Sequence, residues 1–213
     1  FYREAEARAF CILPYHVIFP GEPALKQTDA FLKILDGVDL DQVRLVLDLE
    51  LDHGQTRATI TNTLLCCLEQ LKIETDRYPI VYTRATWADR YLFVRDLPAI
   101  EWWLAQYYYR KPFPEFTREY PCPPSLPKGV SSWLIHQTAE RAPSISGPSR
   151  YMDYDRWNGD EAAVLAYFGR NERPERRYCP VDNAVCPRRD WPMAAEAAKS
   201  FALCELGAEQ VPA

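Results

Sequence analysis

Apolar positions along the chain follow two different spacings, and the two alternate. They recur at offsets of three and four in Glu22–Leu35 and, most clearly, in Gln55–Ile73, which predicts amphipathic helices. A shorter helix is predicted over Thr86–Phe93. Apolar runs of strand length lie at Cys11–Ile18, Arg44–Glu50, Tyr78–Thr83, Ile100–Tyr107 and Ser131–Thr138. Strands separated by helices predict an α/β fold with a mainly parallel sheet, curled into a barrel with its functional groups at the carboxyl ends of the strands.

The ends of the chain and one internal stretch lack this alternation. Residues 1–159 contain the barrel-forming segments, and residues 160–213 are expected to form a helical extension packed on the barrel. The remaining predicted segments are a charged helix at Tyr2–Phe10, a Pro-rich loop at Pro112–Lys128, a helix at Asp160–Gly169, a loop at Asn171–Arg189 and an Ala-rich helix at Pro192–Leu206.

Composition excludes several classes of protein. The 213 residues suffice for one sizeable domain, and the 47% hydrophobic content argues for a folded body rather than disorder. The net charge of -5 predicts no basic surface for nucleic acid, and no apolar run approaches the ~20 residues needed to span a bilayer. Seven cysteines are an odd number, so at least one is unpaired in a monomer; Cys179 and Cys186 are a candidate local disulfide.

The segment Leu45–Glu50, Leu-Val-Leu-Asp-Leu-Glu, is the most informative about chemistry. Because alternate side chains of a strand share a face, Asp48 and Glu50 point the same way, and the leucines fill the opposite face. The two Cβ atoms then lie roughly 7 Å apart, so one carboxyl group can stay protonated beside the ionised other. That pair suits hydrolysis of a glycosidic bond. Two solvated acids at a strand end are the alternative interpretation, because an isolated Asp-x-Glu is a weak motif.

Each predicted strand ends in side chains suited to a sugar site. They are Tyr15 and His16, then Asp48 and Glu50, Tyr82, Trp103 with Gln106 and Tyr107, and finally His136 and Gln137. Asp153 is expected in a final turn. Sugars stack on aromatic rings and give their hydroxyl groups to carboxylates and amides, so this set predicts an acidic cleft for a glycan rather than a nucleotide.

The order of six motifs resembles the glycoside hydrolase family 25 muramidases, lysozymes that cut peptidoglycan. The resemblance extends from about Phe1 to Gly159. It is carried by Tyr15-His16, Asp48-Leu49-Glu50, Ile80-Val81-Tyr82-Thr83 with Trp87, Trp103-Leu104-Ala105-Gln106-Tyr107, Trp133 with Gln137, and Asp153 with Asn158-Gly159. It implies a TIM-barrel-like (β/α) barrel and hydrolysis of the glycan strand of bacterial peptidoglycan.

The resemblance also implies roles for individual residues. Glu50 would be the general acid, and Asp48 would orient the 2-acetamido group of the substrate or stabilise an oxazolinium-like intermediate. Asp153 and Tyr82 would line the same pocket. The further candidates for sugar binding are Tyr15, Trp103, Tyr107, Gln137 and His136. His136 stands where the family tends to have an aromatic residue, and an ordinary hydrogen-bonded histidine is the alternative there.

One part of the family pattern is missing from this sequence. The pattern begins with a strand that carries an Asp in an Asp-x-Ser context, followed by a second strand, and the chain contains neither. A barrel without these strands leaves unpaired edges. We therefore expect that the chain starts inside a longer protein, or that another chain or its own carboxyl-terminal segment closes the gap. Loss of the Asp would put catalysis in doubt even with Glu50 intact.

The leading prediction is therefore an N-acetylmuramidase without a cofactor, acting at the bacterial cell wall in an extracellular or phage-associated setting. A metal is not expected, because His53 adds too few placed ligands to Asp48 and Glu50. The alternatives are an inactive muramidase-like protein with a glycan-binding or structural role, for example in a phage virion, and a barrel hydrolase that acts on a chitin-like glycan.

Overall fold

The computed structural model describes residues 2–7, 10–107, 123–143 and 151–169. Its elements are α1 (Tyr2–Ala7), β1 (Tyr15–Val17), α2 (Ala24–Ile34), β2 (Val46–Asp48), α3 (Arg57–Thr75), β3 (Ile80–Thr83), α4 (Ala85–Tyr91), a 3-10 turn (Val94–Asp96), β4 (Trp102–Ala105), β5 (Ile135–Pro143), β6 (Tyr151–Trp157) and α5 (Glu161–Tyr167). Most of the loop predicted at Pro112–Lys128, the segments predicted at Asn171–Arg189 and Pro192–Leu206, and the suggested pairing of Cys179 with Cys186 lie outside the described residues.

The six strands form one sheet in chain order, from β1 to β6. The first five strands are parallel, as the alternation of helices and strands predicted, and β6 is antiparallel to β5. Among the described residues β1 and β6 are the edges of the sheet, so these strands do not close into a full barrel. What completes the barrel stays a prediction.

The period-2 pattern of β2 gives the sheet two different faces. Leu45, Leu47 and Leu49 are almost fully buried against a core that includes Phe31 of α2 and Leu64 of α3. The alternate residues of the strands face the other side of the sheet, the inner face, where Val46 packs with Ile80, Trp103 and Ile135 in a second core. This arrangement leaves the outer face to the helices and the inner face to the candidate site.

Helix boundaries follow local capping chemistry. The helix predicted at Gln55–Ile73 is α3, which begins after Thr56, whose Oγ1 accepts a hydrogen bond from the backbone N of Thr59 at 3.2 Å. It ends at Asp76, which adopts a left-handed conformation with φ of 57°. The helix predicted to open at Thr86 begins at Ala85, and Arg84 precedes it without a capping side-chain bond.

The expectation that Asp153 lies in a turn is wrong. Residues Tyr151–Trp157 form β6, which pairs with β5 through Gln137 opposite Asp155 and Ile135 opposite Trp157. This stretch contains neither Gly nor Pro, and its aromatic residues favour a strand once a neighbouring strand is present. The longer β5, which ends at Pro143 rather than at Thr138, supplies that neighbour.

Helix α5 covers the end of the sheet where the strands begin. Val164 of α5 and Phe168, which directly follows it, are buried in the inner core. Nη2 of Arg44, just before β2, donates a 2.6 Å hydrogen bond to the carbonyl oxygen of Tyr167 and its guanidinium lies over the rings of Tyr167 and Phe168. The Tyr167 hydroxyl donates to Glu101, which precedes β4.

No helix in the described part of the chain is both long and apolar enough to cross a bilayer.

Candidate active site

The carboxyl ends of β2 and β3 place the two acids beside Tyr82. Asp48, the last residue of β2, lies opposite Tyr82 in the parallel register. The extended backbone continues past the strand, because the N of Leu49 donates to the carbonyl oxygen of Tyr82 at 3.0 Å and the Leu49 carbonyl accepts from the Thr83 hydroxyl at 2.7 Å. With Leu49 fully buried on the helix side, Asp48 and Glu50 are half-buried and share the opposite side.

Burial and two nearby charges determine the ionisation of Glu50. Burial raises its pKa above the ordinary value, the Arg84 guanidinium acts in the opposite direction, and the negative charge of Glu140 raises it again. Nε of Arg84 lies 3.7 Å from Oε2 of Glu50. The net direction is upward, so Glu50 holds a proton to higher pH than an ordinary glutamate, as a general acid requires.

Gln137 joins two phenols at the same edge of the sheet. Its Oε1 accepts hydrogen bonds from the hydroxyl of Tyr82 at 2.7 Å and from that of Tyr107 at 2.5 Å. Burial, together with the nearby Glu50 carboxylate, raises the pKa of the Tyr82 hydroxyl, and burial also raises that of Tyr107. Both phenols therefore remain protonated hydrogen-bond donors over the whole physiological range.

Trp103 is buried in the inner core of the sheet. We predicted it in the aromatic wall of the cleft, but its side chain is only 8% exposed and belongs to the inner core. Its Nε1 donates a 2.7 Å hydrogen bond to Oδ1 of Asp155, and the edge of its ring meets Tyr82 at 5.4 Å between centroids. The indole is therefore mostly enclosed and packs under Tyr82, and its role in sugar binding stays a prediction.

His136 lies on the opposite face of β5 from Gln137. It pairs with Leu104 in the register, is fully buried, and its Nε2 lies 2.9 Å from the carbonyl oxygen of Gln106. Burial lowers its pKa to about 4. This position fits the alternative of a hydrogen-bonded structural histidine, and binding of substrate by His136 stays a prediction.

The remaining predicted residues lie around the inner face. Tyr15, half-buried, stands on the same face as Val46. Alternation along β6 puts Asp153, also half-buried, on the face that carries Asp155. A groove of about 290 Å³ is reached from Glu50 through Arg84, which contacts that acid. It is lined by Arg84, Ala85, Thr86, Ala105, Gln106, Tyr107 and Ser125.

Three residues that act on the site were not predicted from the sequence. They are Arg84, Glu140 and Asp155. Arg84 and Glu140 change the pKa of Glu50, and Asp155 accepts a hydrogen bond from Trp103. Arg84 directly follows the strand predicted at Tyr78–Thr83, so the rule that strand ends carry the site would have found it. No local pattern distinguishes Glu140 or Asp155 from ordinary surface acids.

Metal-binding geometry is absent from the described residues, which hold no group of three or more His, Cys, Asp or Glu side chains suited to one ion. His53, considered beside Asp48 and Glu50, is exposed and has a positive φ of 47°. Its ring meets the edge of Phe19 at 5.5 Å instead.

Known proteins identify the family of this chain and share its fold. The family model described as "Glycosyl hydrolases family 25" matches residues 1–143. Among curated proteins, none matches the sequence. The structure is similar to a muramidase from Acremonium alcalophilum, with a TM-score of 0.59, 18% identity, and coverage of 80% of this chain and 78% of that one.

Two other solved structures share the fold. A family GH25 lysozyme from Aspergillus fumigatus has a TM-score of 0.59 and 19% identity, with 79% of this chain and 78% of that chain covered. The spore cortex lytic enzyme SleM of Clostridium perfringens has a TM-score of 0.57 and 20% identity over 74% of this chain, which spans only 52% of the SleM chain. The architecture is accordingly TIM-barrel-like, with the described sheet forming an open part of the barrel.

Proposed function

The chain belongs to the family 25 glycosyl hydrolases, and from this membership we propose that it hydrolyses the glycan strand of bacterial peptidoglycan as an N-acetylmuramidase. The observation that carries the proposal is the pair formed by Asp48 and Glu50 at the carboxyl end of β2. Burial raises the pKa of Glu50, and the neighbouring acid shares its face of the sheet. This combination supports a proton donor beside a carboxylate.

In the proposed reaction Glu50 gives its proton to the glycosidic oxygen as the bond from that oxygen to the anomeric carbon breaks. The carbonyl oxygen of the substrate's own 2-acetamido group bonds to the anomeric carbon and forms an oxazolinium-like intermediate. Asp48 orients that group and offsets its positive charge. Water then attacks the anomeric carbon as the bond from that carbon to the acetamido oxygen breaks, which restores the 2-acetamido group. The attacking water gives a proton to the Glu50 carboxylate, so the enzyme ends in its starting state.

Tyr82 and Gln137 support this division of roles. The Tyr82 hydroxyl is held by Gln137 at 2.7 Å, and the negative charges of Glu50 and Asp48 both act on Tyr82. A phenol fixed beside both acids limits the positions that an incoming sugar can take. Such positioning reduces the entropy that the reacting groups lose in the transition state.

Clearing of a peptidoglycan suspension by the wild type and by Glu50→Gln tests the proposal. We expect the substitution to reduce the rate by about 10²- to 10⁴-fold, the usual contribution of a general acid. Glu69→Gln is the matched control, because Glu69 is an exposed glutamate of α3 that bonds only with Tyr78 among the contacts described. Equal rates for the wild type and Glu50→Gln would remove Glu50 from the proposed role.

The products decide between the remaining alternatives. A muramic acid reducing end, found by mass spectrometry, supports muramidase cleavage, and an N-acetylglucosamine reducing end supports a chitinase-like cut. Retention of the anomeric configuration in the first product supports participation of the acetamido group, and inversion contradicts it. Sedimentation of the protein with peptidoglycan without any soluble product would support the non-catalytic glycan-binding alternative.

A further inference from the structure

The groove contains one guanidinium among neutral side chains. Of the residues that line it, Arg84 is the cation, and the others are neutral: Ala85, Thr86, Ala105, Gln106, Tyr107 and Ser125. The charged groups nearest to Arg84 are acids, with Glu50 in direct contact and Glu140 close to Glu50. A neutral glycan would be bound equally well by a neutral side chain at this position, so it does not account for the positive charge of Arg84.

The contacts of Arg84 hold its guanidinium in place without using all of its donors. Its carbon Cζ lies 5.2 Å from the centre of the Tyr107 ring, an arrangement typical of a cation on an aromatic face. The 3.7 Å between its Nε and Oε2 of Glu50 exceeds the roughly 2.7–2.9 Å of a charge-assisted hydrogen bond. The Arg84 side chain is 49% exposed. A guanidinium has five N–H donors. A hydrogen bond with Tyr107 and the loose contact of Nε with Glu50 therefore leave donors for a second carboxylate.

We propose that Arg84 binds a carboxylate group carried by the sugar substrate and thereby selects muramic acid glycans over neutral, chitin-like ones. The carboxylate belongs either to the lactyl group of muramic acid or to the peptide stem attached to it. Arginine suits this role because its planar fork matches the geometry of a carboxylate. The inference rests on the proposed function, since it names the class of glycan that the same site takes.

Substrate recognition and catalysis are coupled because both involve Arg84. A substrate carboxylate on Arg84 competes with Glu50 for the guanidinium. When the substrate carboxylate occupies Arg84, the charged form of Glu50 loses part of its stabilisation, and its proton is retained more firmly for transfer to the glycosidic oxygen. An anionic substrate therefore helps to keep the general acid protonated.

Equilibrium binding by titration calorimetry tests the inference without turnover. The first probe is the disaccharide N-acetylglucosaminyl-N-acetylmuramic acid, which contains no bond for a muramidase to cut. Its matched control is the same disaccharide with the lactyl carboxylate reduced to an alcohol. A disaccharide bearing the dipeptide stem, in which the lactyl carboxylate is an amide, separates the two sources of the negative charge.

We expect the wild type to bind at least one carboxylate-bearing disaccharide about tenfold more tightly than the alcohol, in line with a partly exposed charged contact. Arg84→Gln should remove this preference and leave the affinity for the alcohol unchanged. Arg84→Lys keeps the positive charge and loses the planar guanidinium, so it should retain part of the preference for the carboxylate. Arg90→Gln, which removes one exposed positive charge from α4, should behave like the wild type.

Several outcomes would overturn the inference: equal affinity of the wild type for the acids and the alcohol, no measurable binding of the acids, or a preference that persists in Arg84→Gln. These results are distinguishable from failure of the proposed function. A wild type that selects the carboxylate through Arg84 but never releases soluble glycan rejects hydrolysis alone. A wild type that clears peptidoglycan but lacks the preference rejects the role of Arg84 alone.

Discussion

The hydroxyl of Tyr82 on β3 donates a 2.7 Å hydrogen bond to Oε1 of Gln137 on β5, and so spans the strand that lies between them. Gln137 is 5% exposed, and the hydroxyl of Tyr107 occupies the same oxygen. Three strands are therefore tied together within the site itself. The bond fixes the phenol that stands beside Asp48 and Glu50.

Tyr82→Phe tests the importance of this bond. The substitution keeps the ring and leaves Gln137 with one donor, so we expect a loss of about 1 kcal/mol in the free energy of unfolding, measured with urea. Clearing of peptidoglycan should fall more than stability does, because the phenol lies next to both acids. Tyr78→Phe is the control, since its hydroxyl contacts the exposed Glu69 and its loss should change neither quantity. A Tyr82→Phe variant with wild-type stability and activity contradicts the prediction.

Two substitutions should move the pH dependence of activity in opposite directions. Arg84 lowers and Glu140 raises the pKa of Glu50, while Asp48 and Tyr82 flank the same carboxyl. The general acid must be protonated, so the alkaline limb of the kcat/KM profile reports its pKa. We expect Glu140→Gln to shift that limb to lower pH and Arg84→Gln to shift it to higher pH. A shift of both variants in the same direction would show that Glu50 does not determine the limb.

Arg44 should be important for the docking of α5. Arg44→Lys removes the planar group from the rings of Tyr167 and Phe168 and the 2.6 Å bond to the Tyr167 carbonyl. We expect a loss of about 1–3 kcal/mol in the free energy of unfolding and faster hydrogen exchange in α5. Arg77→Lys, which alters the solvent-exposed pair with Asp41, should cost less than about 1 kcal/mol. Equal effects of the two substitutions would argue against a specific role of Arg44.

His136 should make the fold sensitive to acid. Burial lowers its pKa from 6.5 to about 4, so the unfolded chain takes up a proton on this residue at a pH where the folded chain does not. Its contribution to stability is complete above pH 6.5 and is lost as the pH falls toward 4, with a slope of at most about 1.4 kcal/mol per pH unit. His136→Gln should reduce the dependence of the free energy of unfolding on pH in this range. It should not abolish it, because burial lowers the pKa of His16 in the same direction.

Urea unfolding at several pH values between 4 and 7 measures this effect. His53→Gln provides the control, because His53 is exposed on the loop after β2. The prediction fails when the wild type and His136→Gln show the same dependence of the free energy of unfolding on pH.

Features that depend on neighbouring residues in the chain could be predicted from the sequence. The helix α3, the parallel strands β1 to β4 and the shared face of Asp48 and Glu50 follow from side-chain periods of 3.6 and 2, which backbone geometry fixes locally. The sequence therefore determined the α/β class and the pair of acids. The resemblance to a known family added the barrel, which the structural comparisons confirm.

Features that depend on distant residues were decided by the tertiary structure alone. Trp103 and Asp155 are 52 residues apart in sequence, and the pairing of β5 with β6 brings them within 2.7 Å. The same pairing turned the expected turn at Asp153 into a strand, and the packing of the strands buried His136 and Trp103. The pKa of Glu50 likewise depends on two residues from other strands: Arg84, which directly follows β3, and Glu140, which lies within β5. Such contacts depend on the register and the packing between strands. The local pattern of apolar and polar residues specifies neither of these, so the sequence alone could not predict the contacts.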